Sequence, residues 1–314
     1  MKILVAGGAG FIGSHLCERL LAEGDEVYCL DNLSTGQRAN IEPLAGQSRF
    51  HFREADVSES LADEPAVDAI FHLASPASPP GYFQRPLETM LANSLGTHRL
   101  LALAQRQGAR LLFASTSEVY GDPLEHPQSE TYWGNVNPVG MRSCYDESKR
   151  FGEAITMVYV QKYGVDARVV RIFNTYGPRS DPDDGRLVPN FVTQALRGTS
   201  LTVYGDGSQT RSLCYVSDLV EGLVRALRTP GTRGGIFNLG NPDEHTILEY
   251  AQIIKRQTAS PSPIVFVDMP SEDEPTRRKP DIARAREVLG WEPKVGLSEG
   301  LDRTIAWFRE RLDR

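Results

Sequence analysis

Cysteine is scarce in this chain of 314 residues: there are four, Cys17, Cys29, Cys144 and Cys214, scattered and without a Cys-x-x-Cys pair. Such spacing reads as small buried or half-buried thiols in a reducing cytosol, not as a disulfide framework, and no metal site is expected. No apolar run approaches ~20 residues, so no membrane-spanning helix is expected. Strand-like residues begin at Lys2, with no basic leader and apolar core ahead of them, so a cytoplasmic chain is expected. Positive charge is not in excess: 34 Lys and Arg stand against 41 Asp and Glu, a net charge of -7. That weighs against nucleic acid and anionic membranes as partners. Internal repeats and low-complexity tracts are also missing.

What is present is an ordinary globular composition, 40% hydrophobic and 24% charged, long enough for a large core and two lobes. Lys2 to Ala6 reads as a short buried strand, and helical periodicity then runs through Leu16, Leu20 and Leu21 to a stop at Gly24. Further strands are expected at Glu26 to Leu30, Arg49 to Ala55, Ala69 to Ala74, Arg110 to Ser115 and Ala167 to Phe173, with helices at Leu87 to Gln107 and Tyr145 to Tyr163. Strands alternating with helices predict an α/β fold, a doubly wound parallel sheet of the Rossmann kind with right-handed crossovers. After Asn174 the pattern loosens. A Pro-, Gly- and Asp-rich loop spans Tyr176 to Gly185, and Pro- and charge-rich stretches lie at Pro261 to Pro263 and Ser271 to Pro280. An amphipathic helix at Leu297 to Leu312 closes a smaller C-terminal lobe that caps the carboxyl edge of the sheet.

Two motifs carry chemistry. The turn Gly7-Gly8-Ala9-Gly10-Phe11-Ile12-Gly13 stands between a strand and a helix. Gly7 allows the tight turn, Gly10 lets a pyrophosphate approach the backbone, and Gly13 lets helix pack on strand. Asp31 ends the next strand, 18 residues after Gly13. Its carboxylate can accept ribose hydroxyls and repel a 2′-phosphate, so NAD is expected over NADP. Asn32, Leu73 and the pair Asp56-Val57 are further cofactor candidates, the last pair being equally readable as a simple strand end. The second motif is Tyr145 and Lys149, one helical turn apart after the run Thr116-Ser117-Glu118. A phenol has a pKa of ~10, and a lysine on the same helix face is expected to lower it. Such a phenolate can take a proton from a hydroxyl whose carbon gives up a hydride.

The glycine turn, Ser115 to Gly121 and the Tyr145/Lys149 pair resemble the extended short-chain dehydrogenase/reductase superfamily. Leu73 to Tyr82, Tyr132 to Pro138, Arg171 to Arg179, Leu201 to Ser212, Asn238 to Glu249, Arg278 to Ile282 and Leu289 to Pro293 narrow the likeness, which covers nearly the whole chain, to UDP-glucuronic acid decarboxylases (UDP-xylose synthases). It departs from members that carry Cys at Ser75 and His at Gly81. The resemblance implies NAD-dependent conversion of UDP-glucuronate to UDP-xylose: oxidation at C4, loss of CO2 and re-reduction at C4. It implies Tyr145 as base, Lys149 and Thr116 as its helpers, and Glu118 and Arg278 at the decarboxylation stage. Glu118 could instead be a capping or solvated carboxylate, and Arg278 a surface charge in the basic cluster Arg277 to Lys279. Asn174, Arg179, Tyr204, Gln209 and Arg211 are implied for UDP, with Ser117 and Tyr82 beside the sugar. Related 4,6-dehydratases place an aspartic acid where Ser117 stands, which weighs against dehydratase chemistry. A UDP-sugar 4-epimerase and a non-catalytic NAD-binding protein are the alternatives. Residues 1–174, with about 205–240, are expected to form the dinucleotide-binding domain and 175–314 mainly the UDP-sugar lobe. The resemblance also implies a homodimer joined through a four-helix bundle, with Met157, Tyr159 and Val160 as apolar residues beyond what one sheet face would cover.

Overall fold

In the computed structural model, which describes residues 1–61, 64–268 and 277–312, the short apolar runs become strands. They are β1 Lys2–Ala6, β2 Glu26–Asp31, β3 Phe50–Glu54, β4 Ala69–His72, β5 Arg110–Thr116, β6 Ala167–Ile172, β7 Thr175–Tyr176, β8 Leu201–Tyr204, β9 Thr210–Ser212, β10 Cys214–Tyr215, β11 Ile236–Leu239, β12 Glu244–Thr246, β13 Ile264–Val267 and β14 Arg277–Arg278. The helices are α1 Phe11–Ala22, α2 Arg38–Ile41, α3 Pro79–Gln84, α4 Pro86–Leu91, α5 Thr97–Gln107, α6 Ser143–Tyr163, α7 Leu187–Arg197, α8 Val216–Arg228, α9 Ile247–Thr258, α10 Ala283–Leu289 and α11 Leu297–Leu312. Seven strands form one sheet in the order β11-β6-β5-β4-β1-β2-β3. Every neighbouring pair is parallel.

Alternation along each strand divides the core in two. Ile3 and Val5 of β1 pack with Leu16 and Leu20 of α1 and Leu219 and Leu223 of α8. Leu4 and Ala6 point the other way, to Leu100, Leu101 and Ala104 of α5 and Tyr159 of α6. A sheet buried on both faces needs apolar residues at consecutive positions, which is why β1 reads as an unbroken run. The strand order turns back at β1, between β2 and β4, and a crevice at the carboxyl ends of those strands follows from that reversal.

Three smaller sheets, β12-β9-β14, β13-β8 and β10-β7, form from strands after β6, while β11 returns to the large sheet. Residues 271–276 of the Pro- and charge-rich stretch lie outside the described residues. The expected strands are found within a residue or two. The expected helix Leu87 to Gln107 is instead α4, a π-helical turn at Ala92–Gly96, and α5. Gly96 sits there because a Cβ would lie 2.7 Å from a methyl of Val57. A π turn inserts one extra residue and often marks a functional site; here Asn93 within it donates to the hydroxyls of Ser75 and Ser148.

The three apolar residues offered for an interface are buried or half-buried. Tyr159 is buried and its hydroxyl pairs with His98, and Met157 and Val160 pack onto the α5–α6 side of the core. The exposed apolar side chains of this region are Phe83, Leu87, Met90, Leu91 and Leu95 around α4, and Phe151 and Val158 on α6. Among the described residues no helix is long and apolar enough to cross a membrane.

Candidate active site

A cleft of about 540 Å3, open to solvent, lies at the carboxyl ends of β1, β2 and β4, lined by Gly7, Gly10, Asp31, Asn32, Asp56, Val57 and Leu73. Its floor is made by glycines because side chains would fill it. A Cβ on Gly7, whose φ is +82°, would meet the Ala74 nitrogen at 2.6 Å, and one on Gly13 would meet the Gly7 carbonyl at 2.0 Å. Phe11, Ile12 and Gly13 form the first turn of α1, where backbone N–H groups lack intrahelical acceptors and favour anions. Asp31 is buried, its carboxylate accepting the N–H groups of Ala9 at 2.9 Å and Leu33 at 2.8 Å. Asn32 donates to Asp56 across the cleft mouth at 2.7 Å. A phosphate-sized cradle floored by glycines with a fixed carboxylate at its far end fits NAD. Thr35, Gly36, Glu88 and the π-turn residue Ala92 also line it; the last two are distant in the chain from the other lining residues and leave no sequence signal.

Tyr145 and Lys149 lie in the first turns of α6, both buried. The Tyr145 ring stacks on that of Tyr82, centroids 5.1 Å apart and planes 10° apart. Tyr82 is held there by α3, whose capping Ser78 accepts the Gly81 N–H at 3.3 Å. Burial pushes the Tyr145 phenol well above its ordinary range; the Thr116 hydroxyl pulls it down, Glu118 and Asp146 push it up, and the Arg186 guanidinium pulls it down. Lys149 donates to the Ala114 carbonyl at 2.7 Å and lies 5.8 Å from the Tyr145 ring centroid. Burial brings its ammonium down to about 7 against the opposing field of Glu153. Arg186, whose field lowers Tyr145, has its fork held by Asp184 at 2.6 to 3.0 Å.

Glu118 opens a 3-10 turn, Ser117–Tyr120, capped by the Thr116 side chain. It is half-buried and paired. Its carboxylate accepts from Arg142 at 2.6 Å and from Arg278 at 3.2 Å. Burial raises it, but Arg278, Arg142 and Arg211 together bring it down to about 2. Arg278 is 2% exposed, so the surface-charge alternative fails. Its guanidinium also donates to the carbonyls of Ser117 and of Gly121, the latter at 3.1 Å. Sequence reasoning misses Arg142, Asp146 and Arg186. The first two are spaced by four on either side of Tyr145, a signal that could have found them.

Arg211 on β9 is the register partner of Arg278 on β14, so this small sheet brings both to the Glu118 side. Gln209 leads into β9, its carbonyl accepting the Ile247 N–H at 2.9 Å. Asn174 follows β6, its carbonyl accepting the Cys214 N–H at 2.9 Å. Tyr204 ends β8 and is exposed, free to pack on a planar ligand. Arg179 does not join the arginines at Glu118; it packs against α1 and donates to Glu18 at 2.6 Å.

Residues 3–240 match the NAD dependent epimerase/dehydratase family. UDP-glucuronic acid decarboxylase 1 of Danio rerio is 54% identical over 312 residues, covering 99% of this chain and 73% of its own. UDP-glucuronic acid decarboxylase 6 of Arabidopsis thaliana is 53% identical over 313 residues, covering 99% and 90%. The solved structure of a UDP-glucuronic acid 4-epimerase from Bacillus cereus, in complex with UDP-glucuronic acid and NAD, superposes with a TM-score of 0.89 at 30% identity, covering 99% and 100%.

Proposed function

This chain belongs to the NAD dependent epimerase/dehydratase family and, within it, to the UDP-glucuronic acid decarboxylases, and from that premise we infer how its residues share the work. It is an enzyme that converts UDP-glucuronate to UDP-xylose and CO2 through a UDP-4-keto-hexuronic acid, with NAD as a recycled cofactor. When bound, NAD supplies the hydride acceptor at C4 of the sugar and the donor for its return. Residues 1–174, with about 205–240, hold NAD, and 175–314 mainly hold UDP through Tyr204, Gln209 and Arg211, with Asn174 at the boundary.

Tyr145 takes the proton of the sugar 4-hydroxyl, and Thr116 hydrogen-bonds the same oxygen and stabilises charge as it develops. Tyr82 keeps the Tyr145 ring in place. Lys149 anchors the nicotinamide ribose. Once C4 is a ketone, the C5 carboxylate is a β-keto acid: CO2 leaves and the bonding electrons pass into the C4 carbonyl as an enolate. Glu118 remains an anion throughout and orients water and ring. Arg278, its fork already occupied, holds Glu118 and the Ser117 turn in place. Ser117 cannot protonate a leaving hydroxyl as an aspartic acid would. The observation that carries this division is the 2.6 Å pairing of Arg142 with Glu118 beside Tyr145. A 4-epimerase needs the tyrosine but not a clamped carboxylate next to it.

Isotopes test the scheme. Deuterium at substrate C4 is expected to stay at C4, and product formed in D2O to carry one deuterium at C5, with CO2 released and no net NADH. NMR of the product reads both positions. A C5 free of solvent deuterium would defeat the enolate, and a C4 label lost to bulk NAD would defeat recycling within one turnover.

The enzyme is proposed to be a homodimer in which α4, the π turn and α6 of two copies pack as a four-helix bundle. The exposed Phe83, Leu87, Met90, Leu91, Phe151 and Val158 supply the apolar face. Sedimentation at micromolar concentration is expected to give twice the 34.7 kDa chain mass, and Leu87→Arg with Phe151→Arg to halve it. A wild type sedimenting at 34.7 kDa would end the proposal.

A further inference from the structure

The decarboxylation consumes a proton whose source the roles above leave open. Tyr145 takes one proton from O4 on oxidation and returns it on reduction, a net of none. At C5 a bond to carboxylate is replaced by a bond to hydrogen, so one proton enters in each turnover. Glu118, clamped by Arg142 and Arg278, is held at about 2 and has no proton to give near neutrality. A guanidinium does not deprotonate in this range, which removes the arginines. Asp146, which follows Tyr145 on α6 and which the sequence motifs do not single out, is a buried carboxyl beside this cluster.

Asp146 is 6% exposed and follows Tyr145 on α6. Its Oδ1 is buried and has no hydrogen-bond partner among the described residues. Its Oδ2 lies 3.8 Å from Nε of Arg142, whose Nη2 is bonded to Glu118 at 2.6 Å. Two carboxyl groups thus share Arg142, and Arg278 bonds only Glu118 of the two. Glu118 therefore keeps the negative charge and Asp146 keeps the proton. The groups that face Asp146 pull both ways, and the net direction is upward. Burial raises its carboxyl first; Glu118 from the 3-10 turn and Glu147 on its own helix raise it further. Arg142 ahead of α6 and Arg278 from β14 oppose them, leaving it at about 7. A bare anionic oxygen buried without a donor is costly, and a protonated carboxyl there costs less.

We propose that Asp146 holds the proton that is delivered, through a bound water, to C5 of the sugar after CO2 has left. The Asp146 O–H bond breaks and its proton passes to the water, which gives one of its own to C5. The enolate electron pair becomes the C5–H bond, the C4 carbonyl re-forms, and Asp146 is left as a carboxylate to be reprotonated from solvent. This rests on the decarboxylase reading above. Wild-type enzyme that released no CO2 from UDP-glucuronate would sink that reading before Asp146 was tested.

Two measurements test the proposal on the NAD-loaded enzyme. In protein labelled with 13C at aspartate Cγ, NMR is expected to show one carboxyl titrating near pH 7, absent from Asp146→Asn. If Asp146 titrates with ordinary aspartates near pH ~4, the proposal fails. Asp146→Asn mixed with UDP-glucuronate is expected to form NADH and release CO2 once per site at near the wild-type rate. UDP-xylose then appears about 100-fold slower or more, the size of a lost general acid. The bound NADH should persist meanwhile, and Asp146→Glu should recover much of the rate. Unchanged UDP-xylose formation, or NADH, CO2 and UDP-xylose slowed by one common factor, would overturn it. Should Asp146→Asn not fold, the wild-type titration and the Asp146→Glu kinetics still decide.

Discussion

Tyr145→Phe is expected to lose about 100- to 10,000-fold in turnover, or about 3 to 5 kcal/mol of transition-state stabilisation, because no other group beside O4 can take its proton. The fold should survive. The Tyr145 ring is 5% exposed and stacked on Tyr82, and phenylalanine keeps that contact. The lost hydroxyl is one that burial already disfavours in its charged form. NAD binding should also survive, since the glycine cradle and Asp31 are untouched. The diagnostic result lies in the cofactor signal: on adding UDP-glucuronate no NADH should appear, whereas Asp146→Asn should accumulate it. Rapid-mixing absorbance separates the two. Wild-type turnover in Tyr145→Phe would mean that the base has been misassigned.

Arg278→Ala is expected to cost about 3 to 5 kcal/mol of stability, because removing one partner of a buried charge pair strands the other. Three acceptors lose a donor: the carbonyls of Ser117 and Gly121 and the Glu118 carboxylate. The effect has a pH signature. Glu118 is brought from its ordinary value of 4.5 down to about 2, with Arg278 the largest of the opposing fields. A depressed carboxyl stabilises the fold above its unfolded pKa, and that stability is lost as pH falls through the folded value. The variant forfeits this contribution. The stability gap between wild type and Arg278→Ala should therefore be widest at neutral pH and narrow as pH falls below about 4.5. Denaturant melts across that range measure it. A variant as stable as wild type that is slow only after CO2 release would show instead that Arg278 works on the sugar.

The parts of this enzyme written in consecutive residues are legible in the chain itself. Gly7, Gly10 and Gly13 announce a backbone that must approach itself and a ligand, because a Cβ at Gly7 or Gly13 would overlap neighbouring backbone. β1 announces itself as an unbroken apolar run because both faces of the sheet are covered. The π turn at Ala92–Gly96 is hidden, since a single extra residue leaves the 3.6-residue rhythm on either side intact. Tyr159 reads as an interface residue by pattern, yet it is buried and paired with His98. An apolar helical stripe states that something covers it, without stating what.

By itself the sequence determined the alternation of strand and helix, the dinucleotide turn with Asp31, and the Tyr145/Lys149 pair, because each is a local pattern whose spacing already implies its geometry. Only the tertiary structure decided the charges in the site. Arg278 reaches Glu118 across 160 positions of chain, and Arg142 reaches it across 24. Arg211 joins them only because β14 pairs with β9. Which carboxyl keeps a proton depends on burial and on distances between such remote segments. No spacing within the sequence encodes either, so Glu118 as the fixed anion and Asp146 as its protonated neighbour emerge only once the chain has folded.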